Sequence, residues 1–150
     1  MEGYPITARI EVRFRDVDIL GHVNNAVYFT YLEIARGRYF DQVFQRSEFP
    51  GITCVLASIR CDFLHPIKHG DIVEVGVRIP IVGRTSFDFE YEARLEKNAQ
   101  VVAIAYSTQV LYDRFSKAKI AITDEWLTKI ARIQGQRPQR LEKKNAIQKE

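Results

Sequence analysis

A single long helical pattern lies between one strand pattern and four more, and this order limits the folds open to the chain. Apolar residues alternate with polar ones over residues 6–14, which predicts a half-buried strand. Residues 26–46 place apolar side chains at helical spacing, so they predict a helix of about 20 residues. The remaining strand patterns fall at residues 52–64, 73–81, 86–95 and 101–112. One strand, one long helix and at least four consecutive antiparallel strands make an α+β pattern.

The lengths of these elements favour a sheet that curls around the helix. A helix of about 20 residues is about 30 Å long, and five strands span roughly 20–25 Å. The helix can therefore cross the whole sheet, and Gly37 within it predicts close packing against a neighbour. A short second helix is predicted after a cap at Thr123 and Asp124, and its apolar face is Trp126, Leu127, Ile130 and Ile133. That helix is too short to cover the sheet edges, so we expect pairing with another subunit.

The net charge of +3 comes from the C-terminal end of the chain. Residues 135–150 hold five Lys or Arg against two Glu, so residues 1–134 are neutral overall. We therefore expect one domain over residues 1–134 and a basic, poorly ordered tail over residues 135–150. A neutral body does not favour a nucleic-acid partner.

Hydropathy and cysteine usage predict a location in the cytoplasm and no membrane partner. The longest apolar stretch, residues 101–106, is far shorter than the roughly 20 residues that cross a bilayer. Residues 1–5 lack the pattern of a signal peptide. Cys54 and Cys61 lie seven residues apart on one strand, which predicts opposite faces of the sheet and two buried, unpaired thiols.

Chemistry-bearing residues gather where the first strand pattern gives way to the helix, in the string DVDILGHVNN of residues 16–25. Two carboxylates, Asp16 and Asp18, precede a glycine turn, and Asn24 or Asn25 can cap the helix. The unpaired N–H groups and positive dipole end of a helix start can hold an oxygen that becomes negative during a reaction. A carboxylate beside them can act as nucleophile or general base toward a carbonyl carbon. The string therefore predicts an acyl-transfer site.

The same region resembles a known family. Residues 14–28, FRDVDILGHVNNAVY, are similar to the N-terminal signature of the 4-hydroxybenzoyl-CoA thioesterase-like acyl-CoA thioesterases. The string FLHPI at residues 63–67, followed by Gly70 and Asp71, and the string GRTSF at residues 83–87 agree with that family. The resemblance implies the hotdog fold, in which a curled antiparallel sheet of about five strands wraps around one long helix.

The resemblance also implies an activity, namely hydrolysis of an acyl-CoA thioester to a free acid and CoA without a metal or an organic cofactor. Asp18 corresponds to the catalytic carboxylate, as nucleophile or general base, and the amide at Asn25 to the group that polarises the carbonyl. Arg84 is then the candidate for contact with CoA phosphates. The other substrate-contacting residues that it implies are Gly21, His22, Val23, Asn24, Tyr28, Thr85 and Ser86. The residues after Gly21 differ from the aryl-CoA branch, so the chain is more similar to the branch that acts on acyl-CoA or acyl-carrier-protein substrates.

Several of these residues have a second interpretation. Asp18 precedes a glycine turn, so its carboxylate can simply bond to its own backbone. Asp16 is the alternative catalytic carboxylate, but a structural role at the end of the strand is favoured for it. His22 keeps a hotdog dehydratase or hydratase open, and a non-catalytic acyl-CoA or acyl-carrier-protein binding module is the main alternative of another class. His65 and His69 can be read as a zinc pair, but the proline and glycine that follow them prevent a helix and no third ligand is near.

Assembly follows from the position of the helix start. A single curled sheet leaves that start at an edge, so we expect an acyl pocket between subunits, in at least a dimer or in a dimer of dimers with shared active sites.

Ser86 lacks the Gly-x-Ser-x-Gly elbow of a serine hydrolase. A turn that contacts phosphate is the better interpretation of the string around it.

Overall fold

The computed structural model describes residues 1–44 and 51–141, which form one sheet with two helices. The five long strands are β1 (Ile6–Glu11), β2 (Ile52–Phe63), β3 (Ile72–Val82), β4 (Ser86–Leu95) and β5 (Val101–Asp113). Two short strands, β6 (Ala118–Lys119) and β7 (Gln139–Arg140), extend the sheet. The helices are α1 (Asn25–Val43) and α2 (Asp124–Gln134). This curled sheet around one long helix confirms the α+β hotdog architecture.

The long strands lie in the order β1-β3-β4-β5-β2, with every neighbouring pair antiparallel. β1 pairs with β3 so that Glu11 is opposite Ile72, at the end of the sheet where β3 begins. The DVDILGHVNN string follows β1 at that same end. α1 then carries the chain across the sheet to the far edge, where β2 pairs with β5. The outer edge of β2, on the side away from β5, pairs with no described residue.

One stripe of α1 fills the space between the helix and the sheet. Its buried residues are Tyr28, Tyr31, Leu32, Ala35, Tyr39 and Val43. Where α1 ends, a cluster of aromatic rings joins it to β4 and α2, formed by Phe40, Phe44, Phe87, Phe89 and Trp126. The outer face leaves Phe29 36% and Ile34 39% exposed. Within the described ranges, neither helix has the length and apolar character needed to cross a membrane.

None of the described residues packs closely against Gly37, contrary to the prediction. A methyl group at this position would meet no described atom within 4 Å, because Gly37 faces a cavity beside α1. Close approach occurs instead at Gly76 of β3. There a methyl carbon would lie only 2.6 Å from Cβ of Tyr4.

The prediction that the two cysteines lie on opposite faces of the sheet was wrong. The pairing of β2 with β5 shifts by one residue between Leu56 and Ser58, which leaves Ala57 as a β-bulge. Because the extra residue reverses the alternation, Cys54 and Cys61 both pack against the core, as free thiols. Burial raises the pKa of Cys54 to about 12 and that of Cys61 to about 11.

The C-terminal part of the described chain returns to the sheet. α2 is capped as predicted, since the hydroxyl of Thr123 accepts the N–H of Trp126. Beyond α2, β7 pairs in parallel with the end of β3, and the Arg140 guanidinium donates to the carbonyl of Ile122 at 2.9 Å. Residues 135–141 are therefore held against the sheet, unlike the solvated tail that the composition predicts. Residues 142–150 lie outside the described residues.

Candidate active site

A buried carboxylate, Asp16, ties the end of β1 to α1. It accepts the backbone N–H of Arg13 at 2.9 Å, the Arg13 guanidinium at 3.3 Å and the hydroxyl of Tyr31 at 2.8 Å. Burial alone would raise the pKa of Asp16, but these bonds and the Arg13 charge outweigh it and hold that pKa below its ordinary value. The Asp16 carbonyl also accepts the N–H of Asn24 at 2.9 Å. Asp16 therefore has the structural role that was favoured for it.

Asp18 lies half-buried in the tight turn that follows. The N–H of Gly21 donates to the Asp18 carbonyl at 2.9 Å, and Gly21 has a φ of +77°, a conformation that favours glycine. Oδ1 of Asp18 accepts the N–H of Leu20 at 2.9 Å and that of His22 at 3.4 Å. Its Oδ2 bonds to no described residue. The turn-forming role is thus present, and one carboxylate oxygen remains open to a reacting group.

The first turn of α1 adds an open hydrogen-bond donor. Asn24 is the N-cap, and its side-chain oxygen accepts the N–H of Ala26 at 2.9 Å. Asn25 is the first residue of the helix, and its N–H donates to no acceptor among the described residues. This N–H stands at the positive end of the helix dipole, where it can hold a carbonyl oxygen.

A neighbouring loop fixes the position of the turn. The N–H of Val23 donates to the carbonyl of Ile67 at 2.8 Å, and His22 forms an isolated bridge with Lys68. Tyr28 is buried below the turn, where its hydroxyl donates to the carbonyl of His65 at 3.4 Å. Burial raises the pKa of Tyr28 to about 12. Val23 and Tyr28 therefore belong to the packed support of the turn, whereas Gly21, His22, Asn24 and Asn25 keep exposed surface.

The structure does not bring the Arg84 turn near Asp18 within one chain. Arg84, Thr85 and Ser86 follow the end of β3, whereas the Asp18 turn lies where β3 begins. Eleven residues of strand separate the two ends, a distance of roughly 30 Å. Arg84 is exposed, and its carbonyl accepts the N–H of Ile122 at 2.7 Å. A common site with Asp18 therefore requires a second chain.

A large cavity lies between α1 and β2, and sequence analysis missed it. It has a volume of about 890 Å³, and its polar lining includes Arg36 of α1 and Gln109 of β5. Gln109 and the nearby Ser107 are buried polar residues in a strand that is otherwise largely apolar. Two polar side chains at inward positions of an apolar strand were the signal that could have located it.

Comparison with known proteins identifies the family of the chain. Residues 12–133 match the thioesterase-like superfamily. The chain belongs to this superfamily. A thioesterase from Thermus thermophilus, in complex with coenzyme A and Zn, has a TM-score of 0.80 with this structure and is 34% identical in sequence. The match covers 91% of this chain and 98% of the Thermus chain. Membership places the chain among thioester hydrolases.

Two further relatives show the spread of the similarity. The long-chain acyl-CoA thioesterase FadM of Escherichia coli K12 is 28% identical over 127 residues, which are 83% of this chain and 96% of FadM. The uncharacterized protein YsmA of Bacillus subtilis 168 is 32% identical over 83 residues. That match covers 55% of this chain and only 56% of YsmA.

The two histidines that could be read as a zinc pair lie in the loop that supports the Asp18 turn. The His69 ring makes an edge contact with Phe14, with centroids 6.0 Å apart. The His65 carbonyl accepts the Tyr28 hydroxyl. In the described part of the chain, no group of three or more His, Cys, Asp or Glu residues is placed to hold a metal ion.

Proposed function

We propose that this protein hydrolyses acyl-CoA thioesters to a free carboxylic acid and CoA at the Asp18 turn. The observation that carries the proposal is that an Asp18 carboxylate oxygen and the Asn25 N–H are both unbonded within the described residues, in a chain of the thioesterase-like superfamily. CoA bound to the similar Thermus enzyme and the activity named for FadM support CoA as the carrier.

Two routes fit these groups. In both, the thioester carbonyl oxygen accepts the Asn25 N–H, which stabilises the negative charge that develops on it. Asp18 either attacks the carbonyl carbon, releasing CoA thiolate and leaving a mixed anhydride that water hydrolyses, or removes a proton from the water that attacks. Both routes proceed without a metal or an organic cofactor. Asp16 and the Asn24 cap hold the reacting groups in place.

The proposed site includes a second subunit. The Asp18 turn carries Ile19 and Leu20, which are 101% and 74% exposed, and β2 has an unpaired outer edge within the described chain. Pairing of two copies would cover such surfaces. It would also allow Arg84 of one chain to meet the CoA phosphates at the Asp18 turn of another. The proposed assembly is a dimer or a dimer of dimers.

Purified protein tested against a panel of acyl-CoAs, with a thiol reagent that detects released CoA, checks the activity. Release of CoA from at least one acyl-CoA is expected. CoA binding without release would favour the binding module, and hydration of an enoyl-CoA without CoA release would favour a hydratase. Light scattering at micromolar concentration checks the assembly, and an active monomer would contradict the shared site.

A further inference from the structure

The cavity beside α1 contains a buried polar network that the proposed chemistry at Asp18 does not use. The Arg36 guanidinium donates to the hydroxyl of Tyr91 at 3.1 Å, and that hydroxyl lies 2.8 Å from Oγ of Ser107. Gln109 donates to the same Oγ at 3.4 Å. The Tyr91 oxygen accepts from Arg36, and either hydroxyl of the Tyr91–Ser107 pair can donate to the other. The network thus runs from the cavity wall into the sheet.

The positive charge of Arg36 has no acidic partner in the part of the chain that the structure describes. Within residues 1–44 and 51–141 its one hydrogen bond goes to Tyr91, so these residues leave most of its five N–H donors unused. Burial raises the pKa of Tyr91, so the phenol stays neutral beside the guanidinium. Among the described residues, the charged side chains that line the cavity are the half-buried Arg36 and the exposed Glu33 and Arg114. The lining therefore carries more positive than negative charge.

The cavity is aligned with the start of α1. The residues of α1 that line it include Phe29, Glu33, Arg36 and Phe40, which form one stripe of the helix at spacings of three and four. One turn further toward the N-terminus, the same stripe reaches Asn25. Asn25 and Arg36 are eleven residues apart, which is about 16 Å along the helix. An extended acyl chain on the order of 12 carbons covers this distance.

We infer that the cavity binds the acyl chain of the substrate and that Arg36 selects chains that end in a carboxylate. This inference rests on the proposed function, since it places the thioester carbonyl at Asn25. A guanidinium binds a carboxylate through two parallel hydrogen bonds, which a methyl end cannot form. Gly37 leaves space for the acyl chain in the cavity, because any larger side chain at this position would project into it.

Calorimetric titration of the full chain with two non-hydrolysable thioethers of CoA tests the inference. Both carry about 12 carbons, and one ends in a methyl group and the other in a carboxylate. We expect the carboxylate-ended compound to bind at least about tenfold more tightly, the ratio that a hydrogen bond to a charged group gives. Arg36→Gln should abolish this preference and leave the affinity for the methyl-ended compound within about twofold.

Two control variants test whether the preference depends on the charge and the position of Arg36. Arg36→Lys keeps the charge and should retain part of the preference. Arg38→Gln removes an exposed arginine of the same helix and should leave the preference intact. Equal affinity of the two thioethers, or a preference that survives in Arg36→Gln, would overturn the inference while leaving the proposed function standing. Failure to bind either thioether would also overturn the inference, whereas the proposed function fails only if no acyl-CoA of the panel releases CoA.

Discussion

Replacing Gly37 by alanine should stabilise the protein, although the substitution lies in the middle of α1. Glycine in a helix interior is less favourable than alanine by about 0.8–1 kcal/mol. The added methyl group meets no described atom within 4 Å, so no packing cost opposes this gain. For a chain of this size the gain raises the melting temperature by roughly 2–4 °C. Thermal denaturation followed by circular dichroism measures the shift.

Gly76→Ala is the matched control, because it adds the same methyl group at a closely packed glycine. The new carbon would lie 2.6 Å from Cβ of Tyr4, so the strand or the ring must move. Such overpacking costs about 1–3 kcal/mol, and the melting temperature should fall. A lower melting temperature for Gly37→Ala would contradict the expectation that the added methyl group has free space. It would show that a neighbour, such as α1 of a second subunit, occupies the space beside Gly37.

Three further results are expected. Tyr31→Phe removes one hydrogen bond to the buried Asp16 carboxylate and should cost about 1.5–3 kcal/mol in urea denaturation. The pKa of Asp16 is lowered in the folded state, so its stabilising contribution is full above about pH 4 and is lost as pH falls through the folded pKa. Asp16→Asn should therefore flatten the acid limb of a stability–pH profile. Arg84→Ala should raise KM for acyl-CoA several-fold and leave kcat unchanged, with a much smaller effect on an acyl-pantetheine that lacks the nucleotide.

Local patterns in the sequence predicted most of the elements. The alternation of apolar residues located β1, β3 and β4, largely apolar runs located β2 and β5, and helical spacing located both helices. Side-chain chemistry predicted a cap at Asn24 or Asn25, and the structure has it at Asn24, whose side-chain oxygen accepts the N–H two residues later. These features depend on residues that are close in the chain, so they can be predicted from a single sequence.

Features that depend on pairing could not be predicted in this way. The bulge at Ala57 exists because β5 pairs with β2 in two registers, and this bulge places both cysteines on one face. The contact of Arg36 with Tyr91 joins residues 55 positions apart, so no local pattern indicates it. The distance from Arg84 to the Asp18 turn likewise follows from the length and register of β3.

The kcat of Asp18→Asn on an acyl-CoA that the wild-type enzyme hydrolyses shows whether Asp18 is the catalytic carboxylate. We expect a loss of at least about 100-fold, the usual scale for removing a general base or nucleophile. The melting temperature should change little, because the substitution is nearly isosteric. Asp124→Asn, which alters an exposed acid at the start of α2, serves as the control and should keep full activity. Full activity in Asp18→Asn, together with an inactive but folded Asp16→Asn, would contradict the account and assign the chemistry to the other carboxylate.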